Sequence, residues 1–164
     1  MTGADAPAPG GSDGPGGPGG YVIAGYASLF GVADDARDLV MRGAFRRSLK
    51  ERGAEGIRLL WQHDPARPIG VWDALREDRR GLWVRGRILT STALGRDAAQ
   101  LVRNRALDGL SIGFRTRSAR RDPRAGVRRV FDIDLWEVSL VTFPLHPDAR
   151  IAAPGPAAAL RVAS

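Results

Sequence analysis

Short runs in which apolar and polar residues alternate make up most of the middle of this 164-residue chain. Alternation with a period of two is typical of β-strands that bury one face. Residues 21–30 are predicted to form the first strand and residues 57–63 the second, with Pro65 and Pro68 ending the second run. Two hairpins are predicted further along the chain, from strands at residues 69–75, 82–89, 110–118 and 127–142. The pattern therefore predicts a mainly β protein.

Two segments between these strands have helical periodicity instead. Residues 41–52 carry large apolar side chains one helical turn apart and are followed by a glycine, which predicts a short amphipathic helix. Residues 93–106 have apolar residues every three or four positions, and Ser91 or Thr92 can cap the start of this helix. We therefore expect a mainly β fold with inserted helices (α+β).

The two ends of the chain lack the large apolar side chains that a hydrophobic core requires. Residues 1–20 consist largely of Gly, Pro, Ala and Asp, and residues 152–164 are rich in Ala and Pro. We expect a disordered N-terminal tail and a flexible C-terminal tail around a single domain at residues 21–151. No apolar run reaches the length of a membrane span and no signal-peptide pattern opens the chain, so a bacterial cytosolic location is expected.

Composition excludes one class of site and suggests one candidate function. The chain has no cysteine, so it can form neither a disulfide nor a thiolate metal site. Its net charge is +7, and Lys50 is the only lysine among its 25 basic residues. The segment from Arg115 to Arg129 contains seven arginines, which indicates either a solvated hairpin or a patch that binds nucleic acid or an acidic protein. A non-catalytic, basic, mainly β module that binds nucleic acid or an acidic protein is therefore one candidate.

A serine between two glycines is the first candidate for chemistry. Ser111 follows the second expected helix and lies in the sequence GLSIG at residues 109–113. Small neighbours are expected to leave its Oγ accessible, as a nucleophile requires. In α/β-hydrolases the serine follows a strand and precedes a helix, so that fold, with His146 as the base, is disfavoured here. The alternative is a structural serine at the junction of a turn and a strand.

A serine nucleophile needs a general base, and the chain has only two histidines. His63 continues the apolar face of the expected strand at 57–63, where packing would hold its imidazole in place. His146 lies between two prolines in an expected loop, which suits it less well to this role. A structural histidine at a strand end is the alternative interpretation of His63.

The third group of a catalytic triad orients the imidazole and stabilises its charged form. Glu137 shares the parity of several apolar residues in the strand at 127–142, and a buried carboxylate must be paired or hydrogen-bonded. Asp132 and Asp134 fall on the other parity, where looser burial is expected. Glu137 is therefore the preferred third residue, with a structural ion pair to an arginine as the alternative.

Six segments of the chain form a series that is far more specific than any one of them. They are GYASLFG at 25–31, RGAF at 42–45, LWQHD at 60–64, PIG at 68–70, DGLSIGF at 108–114 and WEVSLVTFP at 136–144. Together these segments, which lie between residues 25 and 144, closely resemble the prohead (capsid maturation) protease family of tailed phages and of related prophages and gene-transfer particles. The resemblance covers residues 21–151. That family is similar in fold to the herpesvirus assemblins, which implies a single small β-barrel with helices packed around it.

The resemblance implies a serine endopeptidase whose catalytic residues occur in the order His, Ser and a third group. His63 matches the family's histidine and Ser111 its serine, while Glu137 is the best match for the third position. The assemblins use a second histidine there, and Asp134 and His146 stay open as alternatives. A family member that has lost activity and serves only in assembly is a further alternative. So is a non-catalytic basic β-barrel module that binds nucleic acid or a capsid surface during assembly.

The resemblance also implies partners and a place of action. The expected substrates are the major capsid protein precursor, scaffold and other head proteins, and the protease itself, inside the assembling procapsid in the host cytoplasm. A homodimer is expected by analogy with the assemblins, and neither a cofactor nor a metal is expected. Nucleic acid is expected to bind only incidentally, through the arginine-rich hairpin. Oxyanion donors are expected in the loop at 143–147 or at the amide beside Gly113.

Overall fold

The structure is a computed structural model that describes residues 20–152 of the chain. Apart from their innermost residues, the tails expected at 1–20 and 152–164 lie outside the described residues. The elements in order are β1 (Tyr21–Leu29), β2 (Asp38–Val40), α1 (Arg46–Arg52), β3 (Arg58–Trp61), β4 (Asp64–Glu77), β5 (Gly81–Ile88), α2 (Ala93–Arg103), β6 (Gly109–Asp122), β7 (Val127–Val141) and β8 (Ile151–Ala152). The predicted mainly β class with inserted helices is confirmed, although α1 begins later than predicted because residues 41–45 lie outside the regular helix, mostly in turns.

The strands form one curled sheet in which β7 has neighbours on both edges. β6 pairs with it antiparallel along one edge, and β2 and β3 pair with it in parallel along the other. From β3 the sheet continues through β4, β5 and β1. The short segment 149–152 pairs with β1 and also accepts a hydrogen bond from the start of β6, where the amide of Leu110 lies 2.9 Å from the carbonyl of Ala149. This segment therefore bridges the two ends of the sheet, as the expected barrel requires.

The helices pack against the sheet through contacts that the sequence pattern predicts in part. α1 contacts β7, and its buried Ser48 donates to the carbonyl of Ile133 at 2.6 Å and accepts from the amide of Leu135 at 2.9 Å. Thr92 caps α2 by accepting a hydrogen bond from the amide of Gly95 at 3.0 Å. Burial of each large aliphatic side chain in the core contributes about 1.5–3 kcal/mol. The core includes Ile23, Leu82, Val84, Ile88, Leu110 and Leu140.

The boundary between β3 and β4 differs from the prediction. β4 begins at Asp64, so Pro65 and Pro68 lie within a strand and do not end one. Their missing N–H groups are tolerated because the pairing of β3 with β4 is irregular, with register shifts on both sides of Leu60. β3 itself ends at Trp61, earlier than expected, because the next two residues turn away from the strand.

A β-bulge at Trp136 changes the face that the later residues of β7 occupy. The register shifts there between consecutive residues of β6, so β7 has one extra residue at this point. Leu135 faces the core before the bulge and Val138 faces it afterwards. Glu137 therefore lies on the opposite face, and the prediction that it interrupts the apolar row is wrong.

Candidate active site

His63 and Glu137 are brought together by a sharp turn at the end of β3. β3 runs parallel to β7, and the chain leaves it through Gln62 and His63, whose φ angles of 53° and 60° are both left-handed. The turn places the imidazole Nδ1 of His63 2.5 Å from Oε1 of Glu137. When Nδ1–H donates to this carboxylate, the lone pair on Nε2 is left free to accept a proton. This geometry is the one that a general base and its orienting group require.

Ser139 holds the other oxygen of the Glu137 carboxylate. Its side chain is fully buried, and its Oγ donates a hydrogen bond to Oε2 of Glu137. Both carboxylate oxygens are thus engaged, one by the serine and one by the histidine. Sequence reasoning missed Ser139, although its position two residues after Glu137 on the same strand was a usable signal.

A side-chain amide ties the histidine turn to the segment that follows β7. Gln62 donates from Nε2 to Oγ1 of Thr142 at 2.7 Å, and its Oε1 accepts from the amide of Thr142 at 3.2 Å. The backbone amide of Gln62 also donates to the carbonyl of Leu140 at 2.9 Å. Three hydrogen bonds therefore fix this turn against the end of β7, and the sequence analysis did not predict this role for Gln62.

Ser111 lies on the same face of the sheet as the carboxylate. In the β6–β7 ladder Ser111 stands opposite Ser139 and Gly113 stands opposite Glu137, and residues directly opposite each other share a face. A Cβ at Gly113 would lie 2.0 Å from Oε1 of Glu137, so the glycine makes room for the glutamate. Ser111 is only 5% exposed, less open than its small neighbours led us to expect. Within residues 20–152 its Oγ forms no hydrogen bond to His63.

Asp134, which is one alternative for the third residue, forms ion pairs with arginines, and so does Asp132. Asp134 is buried, so the looser burial expected for it is wrong, and its Oδ1 lies 2.9 Å from Arg52 and 3.2 Å from Arg117. A hydrogen bond from Trp136, followed by those from Arg52, holds the pKa of Asp134 below its usual value. Asp132 likewise lies within ion-pair distance of Arg117. Both carboxylates are thus paired with arginines and not with the imidazole of His63.

His146, the other alternative, occupies a different buried place. It is 7% exposed, and its Nδ1 accepts a hydrogen bond from the amide of Asp148 at 3.3 Å. Its Nε2 has no hydrogen-bond partner among the described residues. With Asp34 and Ser111 it lines a cavity of about 20 Å³, and burial raises the pKa of Asp34. His146 therefore approaches Ser111 without an orienting carboxylate hydrogen-bonded to its ring.

The arginine-rich hairpin is partly neutralised by its own carboxylates. Four of its seven arginines form ion pairs, namely Arg115 and Arg117 with Asp134, Arg128 with Asp38, and Arg129 with Asp122. Arg120, Arg121 and Arg124 have no carboxylate partner in the part of the chain that the structure describes. The hairpin is therefore not a continuous basic stripe.

Between residues 20 and 152, no group of three or more His, Asp or Glu side chains is arranged to hold a metal ion. In the same range, neither helix has the length and apolar character that crossing a bilayer demands.

Comparison with known proteins connects this geometry to a family. The model of the caudovirus prohead serine protease family matches residues 13–159. The prohead protease of Enterobacteria phage HK97 is 32% identical over 137 residues, which cover 80% of this chain and 59% of that protein. The prohead protease of Escherichia phage T5 is 34% identical over 93 residues, covering 56% and 42% respectively. The chain thus spans less than two thirds of the length of either relative.

Solved structures share the fold at low sequence identity. The bacteriophage T4 capsid assembly protease has a TM-score of 0.59 at 15% identity, over 74% of this chain and 83% of that one. The KSHV protease, a herpesvirus enzyme, has a TM-score of 0.51 at 17% identity, over 80% and 63% respectively. The assemblin-like fold is thereby confirmed. Because the family model matches most of its length, the chain belongs to the caudovirus prohead serine protease family.

Proposed function

We propose that this protein is a serine endopeptidase that processes the major capsid protein precursor, scaffold and other head proteins, and its own chain, during phage-type head maturation. The observation that carries the proposal is the hydrogen bond between His63 and Glu137 on the sheet face that also holds Ser111, in a member of a protease family. The proposed place of action is the assembling procapsid in the host cytoplasm, and the proposed oligomer is a homodimer.

The three residues have distinct roles in the proposed reaction. Glu137 accepts the Nδ1–H of His63, so Nε2 can remove the proton from Ser111 as its Oγ attacks the peptide carbonyl. His63 then donates that proton to the leaving amine, the C–N bond breaks, and an acyl-enzyme forms. Water, deprotonated by His63, releases the new carboxylate and restores Ser111. The hydrogen bond from Ser111 to His63 forms when the peptide is bound, since such bonds are often long in the free enzyme.

Oxyanion stabilisation completes the proposed mechanism. The segment at 143–147 follows Thr142, which Gln62 ties to the histidine turn, and this tie favours that loop as the source of the donors. The amide beside Gly113 is the alternative source. Loss of one such donor typically reduces the rate by about 10²- to 10³-fold.

The rival function, a basic module without catalysis, has weaker support. Four of the seven hairpin arginines are neutralised by carboxylates, and a phosphate-binding surface needs free cations. That function also leaves the engaged carboxylate of Glu137 unexplained. An affinity for nucleic acid that falls steeply as the salt concentration rises would identify such a module. The rate of proteolysis should not show this steep dependence on salt.

The test is intact-mass analysis of the cognate capsid protein after co-expression with wild-type or variant enzyme. We expect truncation of the capsid protein with the wild type. The rate of cleavage should be lower by about 10⁶-fold for Ser111→Ala or His63→Ala and by about 10⁴-fold for Glu137→Gln.

His146→Ala and Ser118→Ala are the controls, and both should process the substrate. Cleavage by Ser111→Ala would contradict the mechanism, and loss of activity in His146→Ala but not His63→Ala would move the base. An unprocessed partner with every enzyme would favour the assembly module.

A further inference from the structure

A second and larger cavity lies between the tip of the β6–β7 hairpin and the segment that enters β2. Its volume is about 430 Å³, within the range of about 300–1,000 Å³ that ligand sites usually have. We call it the arginine groove, and its charged and polar wall consists of Arg37, Asp38, Arg121, Asp122 and Arg128. The mechanism proposed above uses none of these side chains.

Both carboxylates of the arginine groove are already neutralised. Asp38 accepts from Arg128, with Nε 2.7 Å from Oδ1. Asp122 accepts from Arg129 at 2.9 Å, and its other oxygen accepts from the amide of Ala125. Ion pairs of this kind leave no negative charge to repel an anionic ligand. The charge of the groove is therefore set by its remaining arginines.

Among residues 20–152, no carboxylate neutralises the guanidinium groups of Arg37 and Arg121. Arg37 donates to the carbonyls of Gly126 and Ala125 at 3.1 and 3.2 Å, and neutral carbonyls do not cancel a guanidinium charge. Arg121 is exposed and has no carboxylate partner among residues 20–152. The backbone also fixes the wall, because the amide of Arg128 donates to the carbonyl of Arg37 at 2.8 Å. The groove is thus a positively charged recess with a preorganised wall, which reduces the entropic cost of binding.

The position of the arginine groove relates it to the candidate active site. Asp38 lines both this groove and the small cavity that Ser111 lines. Arg121 follows Ser111 by ten positions in β6, so an extended peptide that runs beside this strand from Ser111 reaches Arg121. Because strands and extended peptides have a similar rise per residue, the groove would receive side chains up to about ten residues from the cleaved bond.

We propose that the arginine groove binds an acidic segment of the protein substrate, away from the peptide bond that is cleaved. This inference rests on the proposed protease function. Guanidinium groups bind carboxylates through paired hydrogen bonds, which suits Asp and Glu side chains of a peptide. A nucleic acid fits less well, because the groove is concave and most of the surrounding arginines are neutralised. An acidic region of the substrate would thus select and orient it before cleavage.

The test uses binding, so that its result does not depend on proteolysis. The full chain with Ser111→Ala is titrated into a fluorescently labelled peptide of four Glu-Gly repeats, and into the matching Gln-Gly peptide. We expect binding of the Glu-Gly peptide only, weakened about tenfold or more by Arg121→Glu. Arg120→Glu is the matched control, because it makes the same charge change at the next position, which is also exposed but does not line the groove. This control should change the affinity by less than about threefold.

The results of these experiments distinguish a failure of the groove proposal from a failure of the proposed protease function. Equal weakening by Arg120→Glu and Arg121→Glu would overturn the inference, since the peptide would then respond to net charge alone. Binding of a short DNA duplex that is lost with Arg121→Glu, without binding of the Glu-Gly peptide, would also overturn it. In an enzyme with intact Ser111, we expect Arg121→Glu to raise KM for an acidic substrate and to leave kcat unchanged. Absence of cleavage by the wild type would contradict the proposed function and leave the binding result standing.

Discussion

Gln62 and His63 are consecutive non-glycine residues with left-handed backbone conformations, at φ 53° and 60°. Each such conformation costs on the order of 1–3 kcal/mol unless neighbouring contacts hold it. Here the contacts include the two hydrogen bonds between the Gln62 side chain and Thr142, besides the one from the Gln62 backbone amide to Leu140. A strained turn that directs the imidazole at Glu137 is therefore held by a side chain that has no part in the proposed reaction.

Removing this tie should lower kcat with little effect on stability. Gln62→Ala is expected to reduce kcat by about 10- to 10²-fold, because small displacements of a catalytic group have effects of that size. Thr142→Val, which keeps the side-chain shape and removes Oγ1, should have a smaller effect in the same direction. KM should stay near the wild-type value.

The double variant is the control for this interpretation. Gln62 and Thr142 form one interaction, so the combined loss in kcat should be smaller than the product of the two separate losses. Steady-state kinetics on one peptide substrate provide the measurement. Multiplicative losses would mean that the two residues act independently, and the positioning role of Gln62 would be rejected.

At the scale of the elements, β7 organises the site because it pairs on both of its edges. β3 on one side delivers the histidine turn, and β6 on the other delivers Ser111. The bulge at Trp136 places Glu137 on the face that these two neighbours share. The site thus depends on the registers of three strands, which meet where Gly113 leaves space for the carboxylate.

Gly113→Ala should lower activity while the protein remains folded. The new methyl group would collide with the end of the Glu137 side chain, which is flexible enough to move aside. Moving it aside breaks its hydrogen bond to His63, so we expect a loss in kcat of about 10²-fold. Circular dichroism and thermal unfolding should stay close to the wild type. Ser118→Ala in the same strand is the control. If Gly113→Ala had the wild-type kcat, the space beside Gly113 would not be needed to hold the Glu137 carboxylate against His63.

At the scale of the whole molecule, Asp134 holds α1 to the sheet through Arg52, and Asp122 holds the two strands of the β6–β7 hairpin together through Arg129. Hydrogen bonds from Trp136 and Arg52 lower the pKa of Asp134, and those from the Ala125 amide and from Arg129 lower the pKa of Asp122. A carboxylate whose pKa is lower in the folded state stabilises that state at any pH above its unfolded pKa. The stabilisation is lost as the pH falls through the folded pKa.

The contribution of these two carboxylates to the free energy of unfolding should therefore be complete above about pH 5 and should decrease below about pH 4. Urea denaturation at a series of pH values measures this dependence. Asp134→Asn should make the decrease less steep, because one of the depressed carboxylates is gone. Asp148→Asn is the control, since Asp148 is exposed and forms no ion pair within residues 20–152. Equal slopes for the wild type and Asp134→Asn would contradict this assignment.

Elements that depend on neighbouring residues could be predicted from the sequence, whereas elements that depend on pairing with distant strands could not. The hairpins β4–β5 and β6–β7 and the cap at Thr92 follow from alternation, turn residues and helix start signals within a few positions. The strands β2 and β8 have only three and two residues, and they exist because distant strands supply their partners. The bulge at Trp136 reverses the parity that favours Glu137 in the sequence, so the contact between Glu137 and His63 has a cause that alternation alone does not contain.

The sequence by itself determined the fold class, the helix and hairpin positions and the family, because periodicity and a series of short motifs are properties of neighbouring residues. It also limited the candidate base to two histidines. Only the tertiary structure decided that His63 meets Glu137, that Ser139 holds the second oxygen, and that Asp134 belongs to the arginines. These contacts depend on register, bulges and a left-handed turn, and such features arise from pairing between segments far apart in the chain.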